Sequence, residues 1–369
     1  MRRFIFSICL IILILTAAFF LSQGNQSEKK SLSSIAQSPT TASINSGLTV
    51  TQTRTSSGKG TRTIFIPYWT MGETMIDSSN YDRLVYFGIT ANKKGIDKDE
   101  IGYKSLNNFI KVTNANTKRL LGVRMINTDT NKVVLNDKAL QEKIIEQSIR
   151  IAKNKGFDGI VLDFEISALG FTNITQSISS FEIKYADAVK KNNLSFLTTI
   201  YGDTFARFRP FDVKLIASHT DGIMIMAYDY HKSNGNSGPN FPLKDNQDEG
   251  YDFQAMINDF LQQTSPDKIT VVFGLFGYDW MVDDKGNSLG QAVSVSDYKI
   301  EQKFLNSCSF IDCKVIQDSL SSEKKITYID ADSKYHIVWF EDMHSVMQKT
   351  NFLKSKGINA IAYWAYSYF

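Results

Sequence analysis

From Thr63 onward the chain alternates short runs rich in β-branched and aromatic residues with longer, polar, partly amphipathic runs. This alternation constrains the fold more than any single residue does. The strand-like runs are TIFIPY (63 to 68), RLVYFGI (83 to 89), RLLGVRMI (119 to 126), GIVLDFE (159 to 165), LSFLTTI (194 to 200), GIMIMAY (222 to 228), ITVVFGL (269 to 275) and AIAYWAY (360 to 366). Between two of them, ALQEKIIEQSIRIAKNKG places Leu140, Ile144, Ile145, Ile149 and Ala152 in one apolar stripe, and Gly156 closes the helix. Strands separated by helical crossovers pair in parallel. Eight such units over about 300 residues predict an α/β fold, a closed (β/α)8 TIM barrel rather than an open sheet. The stretch from about 280 to 340, between the seventh and eighth strands, is too long for one helix. It contains KITYIDADSKYHIVWFED and is expected to form a small, strand-rich α+β insertion.

Ahead of the barrel, Arg2 and Arg3 precede FIFSICLIILILTAAFFLS, an uncharged run from Phe4 to Ser22. The run exceeds the ~7 to 15 apolar residues of a signal-peptide core and approaches the ~20 that span a bilayer. Residues 1–22 are therefore expected to act as an uncleaved signal-anchor, with the membrane as a partner. A cleaved signal peptide is the alternative, since Ser22-Gln23-Gly24 offers small residues in suitable alternation. Either fate places the bulk of the chain outside the cytoplasm. Residues 23–62 are mostly Ser, Thr, Gln, Asn, Gly and Lys and read as a disordered linker, leaving 63–369 as the barrel domain. The linker segment SSGKGT lacks the earlier glycine and the residue order of a phosphate-binding loop, and it precedes a strand instead of following one.

Charge excludes one class of partner. With 41 basic and 38 acidic residues, a net charge of +3 and no basic run interleaved with aromatics, nucleic acid is not expected. Of three cysteines, Cys9 lies in the apolar run, so Cys308 and Cys313 are either a loop disulfide or two free thiols. His219, His231, His336 and His344 show no ligand spacing, so neither a metal nor another cofactor is expected.

The chemistry concentrates in GFDGIVLDFE, residues 156–165. On a strand with a two-residue side-chain period, Val161, Asp163 and Glu165 share one face and Ile160, Leu162 and Phe164 the other. The apolar set faces the helices, so the acids point into the barrel, with Glu165 at the carboxyl end where barrel enzymes place their chemistry. Two inward acids at i and i+2 there favour a working pair over acids satisfied by buried cations. Asp158 has the opposite parity and is expected to support the turn entering the strand, beside Gly159.

DGIVLDFE resembles the D-G-x-D-x-D-x-E signature of glycoside hydrolase family 18, the chitinase-like enzymes. MAYDYH (226 to 231) is similar to the family's M-x-Y-D on strand six. VVFGLFGYDW (271 to 280) resembles strand seven, especially in the spore-cortex-lytic branch, and VWFED with AIAYWAY is similar to the last insertion strand and the strand-eight tryptophan. The resemblance implies hydrolysis of β-linked glycans containing N-acetylglucosamine, chitin-type or peptidoglycan, with retention and with the substrate's acetamido oxygen as nucleophile. It makes Glu165 the general acid and Asp163 the residue that orients the N-acetyl group. Tyr228 would donate to the acetamido oxygen, Asp229 and Met226 would line the subsite, and Trp364 would give the sugar an apolar floor. Tyr68, next to Trp69 after strand one, could stack on sugar or close the barrel.

The chain departs from the signature at Val161, where the family carries its middle aspartate. Asp163 thus loses a like-charged neighbour below and gains an apolar one, which leaves rate and pH optimum open. The alternative function is a lectin-like barrel that binds glycans at the cell surface without cutting them; retention of Glu165 counts against it.

Overall fold

The computed structural model describes residues 60–168, 172–245 and 250–369. The expected leader at 1–22 and residues 23–59 of the expected linker lie outside the described residues. Among the described residues, no helix is long and apolar enough to cross a membrane.

The chain runs through β1 (Arg62–Pro67), β2 (Arg83–Asn92), the two-residue β3 (Gly95–Ile96), β4 (Lys118–Met125), β5 (Gly159–Phe164), β6 (Ser195–Tyr201), β7 (Gly222–Ala227) and β8 (Ile269–Gly274), and ends in β14 (Ala360–Trp364). Leaving β3 aside, these strands pair in parallel in the order β1-β14-β8-β7-β6-β5-β4-β2, and a further β1–β2 ladder closes the circle. Each of the eight runs expected as strands is a barrel strand, with ends displaced by no more than three residues.

Helices α1 (Ile101–Lys104), α2 (Leu106–Val112), α3 (Thr128–Asn136), α4 (Lys138–Asn154), α5 (Thr172–Lys190), α6 (Val213–His219), α7 (Phe253–Gln263) and, after the insertion, α9 (Met343–Ser355) occupy the crossovers. Helix α4 shows why. Asp137 caps it by accepting from the Leu140 N–H at 2.9 Å, and Leu140, Ile144, Ile145, Ile149 and Ala152 are all buried, the stripe seen in the sequence. Gly156 follows at φ +68°, a turn conformation that costs glycine little.

Two apolar layers result. Phe65, Leu120, Val161, Leu197, Met224 and Val272 pack inside the barrel, while Ile160, Leu162, Phe164 and their counterparts on other strands pack between sheet and helices. Gly159 sits where β5 and β6 draw together: a Cβ there would lie 2.0 Å from Ser195 Oγ and 2.6 Å from its carbonyl oxygen.

The insertion between β8 and β14 is a five-stranded antiparallel sheet of β9 (Phe276–Val282), β10 (Val293–Ser296), β11 (Ile311–Gln317), β12 (Lys324–Ile329) and β13 (Tyr335–Phe340), ordered β10-β9-β13-β12-β11, with the short helix α8 (Asp297–Ile300). It begins a few residues before the expected 280. The Leu275 N–H makes the barrel's last bond here, to the Trp364 carbonyl at 2.8 Å, and Phe276 to Asp279 already pair with β10. VVFGLFGYDW therefore serves two sheets. Cys308 and Cys313 form a disulfide, Cα atoms 6.3 Å apart.

The insertion is tied down by a buried ionic cluster. Lys349 on α9 bonds Glu323 at 2.8 Å and also Glu341, all three with no exposed side-chain surface. Glu323 in turn accepts from the backbone N–H groups of Asn240, at 2.6 Å, and Phe241, at 2.8 Å, in the loop after β7.

Candidate active site

The period of β5 places its acids as expected: Val161 belongs to the barrel interior and Asp163, the next inward residue, is 3% exposed. Thr199 Oγ1 on β6 donates to Asp163 Oδ1 at 2.6 Å. Glu165 follows directly after the end of β5 and is half-buried. Its backbone is held from both sides: its N–H donates to the Met125 carbonyl at 2.8 Å, and Asn131 Nδ2 donates to its carbonyl at 2.5 Å. Its carboxylate accepts from Tyr201 OH, Oε2 to oxygen 3.0 Å.

This arrangement sets the protonation states. Removal from water, and then the Asp163 charge beside it, push the Glu165 carboxyl up to about 8, against the pull of the Tyr201 hydrogen bond and the Lys232 charge. Asp163 is also raised by burial, while the Thr199 hydrogen bond and the Arg124 charge draw it back. Glu165 is thus an acid that keeps its proton at neutral pH, which is the state a proton donor needs.

The end of β7, two strands along from β5, supplies the next wall. Met226 is 7% exposed and Tyr228 and Asp229 are half-buried. Asp229 has φ +59°; its N–H donates to Asn240 Oδ1 at 2.8 Å and its carboxylate accepts from Tyr278 OH at 2.7 Å. Burial, together with the charges of Asp163, Glu165 and Asp229, raises the Tyr228 hydroxyl well above its ordinary range, so it stays a donor. Asn240 also donates to the Gly274 and Phe276 carbonyls at 3.1 and 3.2 Å. The insertion therefore reaches the site through Tyr278 of β9 and the loop that Glu323 anchors.

On the opposite side, Trp364 ends β14 with its ring centroid 4.7 Å from Phe87, 5.8 Å from Phe65 and 6.3 Å from Trp69. Tyr68 packs edge-on against Trp69 at 5.0 Å, and Trp69 is 38% exposed. Asp158 and Gly159 are not brought to this end. At the entry of β5, the Asp158 carboxylate accepts from the Arg119 N–H at 2.8 Å and its carbonyl accepts from the Ser195 N–H at 3.0 Å, joining three strands.

Residues missed in the sequence complete the site: Thr199 and Tyr201 on β6, Arg124 on β4, and Asn131, Asn240 and Tyr278. Strand parity carried a signal for the first three, because Thr199 and Tyr201 share the parity of inward Leu197, and Arg124 that of inward Leu120. The other three come from a helix, a loop and the insertion, and no local pattern marks them. Among the described residues, no group of three or more His, Cys, Asp or Glu side chains is placed to hold a metal ion.

Comparison with known proteins agrees with this architecture. A cortical fragment-lytic enzyme of Bacillus anthracis is 26% identical over 296 residues, covering 76% of this chain and 64% of that protein. The chain thus spans less than two thirds of that relative's length. The crystal structure of the Bacillus cereus spore cortex-lytic enzyme SleL superposes with a TM-score of 0.66 at 21% identity, covering 89% of this chain and 76% of that one. A family 18 chitinase from Cycas revoluta, solved in complex with (GlcNAc)3, gives a TM-score of 0.70 at 19% identity, covering 83% of this chain and 94% of the other. The sequence model of the glycosyl hydrolases family 18 matches residues 57–368, and the chain belongs to that family.

Proposed function

We propose that the chain hydrolyses β-linked glycans containing N-acetylglucosamine, with retention of configuration, through attack by the substrate's own acetamido oxygen. The observation that carries this reading is the pair at the end of β5: a Glu165 carboxyl held near pH 8 beside a buried Asp163. Glu165 protonates the glycosidic oxygen as the acetamido oxygen closes on the anomeric carbon, so no protein nucleophile is required. Asp163 orients the acetamido group and offsets the positive charge that develops on its nitrogen, and Tyr228 donates to its oxygen. Asp229 and Met226 line the subsite, while Trp364 and Tyr68 offer apolar faces to sugar rings.

Peptidoglycan and chitin-type oligosaccharides both fit this chemistry. The cortical fragment-lytic relative supports a wall glycan. An extracytoplasmic location, with residues 1–22 as membrane anchor or signal peptide, suits such a substrate.

The test is to incubate the full chain with chito-oligosaccharides and with purified peptidoglycan, wild type beside Glu165→Gln. Wild type is expected to release products and Glu165→Gln to lose at least about a hundredfold in rate while still binding glycan. Glycan binding by both proteins with product from neither would overturn the hydrolase reading in favour of a lectin-like barrel.

A further inference from the structure

The layer that holds Asp163 also holds a cation. β4 and β5 pair Arg124 directly with Asp163, and both residues share the inward parity of Leu120 and Val161. Arg124 is 8% exposed. Its guanidinium carbon lies 5.1 Å from the ring centroid of Phe87, 5.6 Å from Trp69 and 5.9 Å from Tyr68. Nη1 pairs with Glu100 at a long 3.4 Å, and Nε is buried with no hydrogen-bond partner among the described residues. A guanidinium keeps its charge wherever it is placed, so burying one under three aromatic rings with an incomplete set of partners costs stability. The barrel interior below is apolar and gives no packing reason for a charge here.

Asp163 is where that charge has an effect. Beneath it Val161 is fully buried, so no acid shares its proton from below. The other groups around it are Glu165 on its own strand, Thr199 and Tyr201 from β6, and Tyr228 from the end of β7; Asp229, next to Tyr228, acts on Glu165 and Tyr228. The remaining cations are differently engaged: Lys232 acts on Glu165 and Asp229, and Arg209 is bonded to Asp203. Glu100 stands at Arg124 and partly offsets it.

We propose that Arg124 is a positioning residue for Asp163: a fixed positive charge, wedged by Tyr68, Trp69 and Phe87, that keeps the Asp163 carboxylate ionised above the apolar Val161. The catalytic importance of that ionised form rests on the proposed function; the electrostatic coupling does not. The direction agrees, since burial pushes Asp163 up and Arg124 draws it down.

The experiment follows the Asp163 carboxyl carbon resonance by NMR as a function of pH, assigned by its absence in Asp163→Asn, without substrate. Arg124→Met is expected to raise the midpoint by about one pH unit or more, the effect of losing a nearby opposite charge. Arg124→Lys should leave it near the wild-type value. Glu100→Gln, a change at a half-exposed residue, should lower it by unmasking Arg124. An unchanged midpoint in Arg124→Met overturns the proposal. So does an Arg124→Lys midpoint as high as that of Arg124→Met, or a Glu100→Gln midpoint that does not fall. Should the wild type hydrolyse no glycan, the proposed function fails while these midpoints still decide the coupling.

Discussion

Tyr201 donates its phenolic hydrogen to Oε2 of Glu165 at 3.0 Å. One carboxyl oxygen is thereby committed to a neighbour, and the proton that Glu165 retains is left to the other. The bond also acts on the acidity, because a donor to the charged form favours that form and pulls the Glu165 carboxyl down from where burial and Asp163 would put it.

Tyr201→Phe is expected to act on both counts. Without the donor the Glu165 carboxyl rises above about 8, so the basic limb of kcat/KM, assigned under the proposed function to loss of the Glu165 proton, moves to higher pH. With orientation relaxed, kcat at the optimum falls about tenfold, the upper worth of one hydrogen bond between neutral groups. A basic limb that stays in place, or moves down, would show that the hydroxyl does not act on Glu165.

Val161→Asp restores an acid beneath Asp163, in the apolar interior of the barrel. A like charge there disfavours ionisation of Asp163 and raises it further. If the ionised form is the active one, the acid limb of kcat/KM moves to higher pH. Burying the new carboxyl also costs about 1–3 kcal/mol of stability. A pH profile of the variant that overlays the wild type in both limbs would sink this account of the missing aspartate.

Glu182, on α5, is fully buried, and among the described residues no cation pairs with either of its carboxylate oxygens. Burial pushes its carboxyl from 4.5 up to about 8. The folded chain then holds a proton that the unfolded chain releases, so stability is highest below about 4.5 and declines as pH rises through about 8. Glu182→Gln removes this slope, and above the window the variant should be the more stable by on the order of a few kcal/mol. Denaturant unfolding at acid, neutral and alkaline pH reads it; a wild-type minus variant difference that does not change with pH is the contrary result.

Lys349→Met leaves Glu323 and Glu341 buried with no counter-charge. Breaking a buried pair on one side costs about 3–5 kcal/mol. Because Glu323 holds the Asn240–Phe241 backbone, and Asn240 holds Asp229, kcat is expected to drop as well, even below the melting range. Equilibrium unfolding and kcat measured at low temperature separate the two effects, and normal values of both would remove the cluster's assigned role.

The barrel and the two principal acids were legible because both rest on local periodicity. Ile160, Leu162 and Phe164 must leave water on one side of β5, and that alone forces Asp163 and Glu165 to the other. The α4 stripe and the Gly156 stop follow the same logic at helical spacing. The start of the insertion was less legible: Leu275 and Phe276 look alike in a strand, and only the competition between β14 and β10 for their backbone groups ends the barrel there.

The sequence by itself determined which side chains face the barrel interior and at which end the acids emerge, since side-chain parity and apolar alternation are properties of consecutive residues. Only the tertiary structure decided what those acids meet. Thr199 and Tyr201 come from the next strand, Arg124 from the previous one, and Tyr278 with its Asn240 partner from an insertion and a loop. Closure of the sheet sets those neighbours, and the water it excludes turns Glu165 from an ordinary carboxylate into an acid that holds its proton to about pH 8.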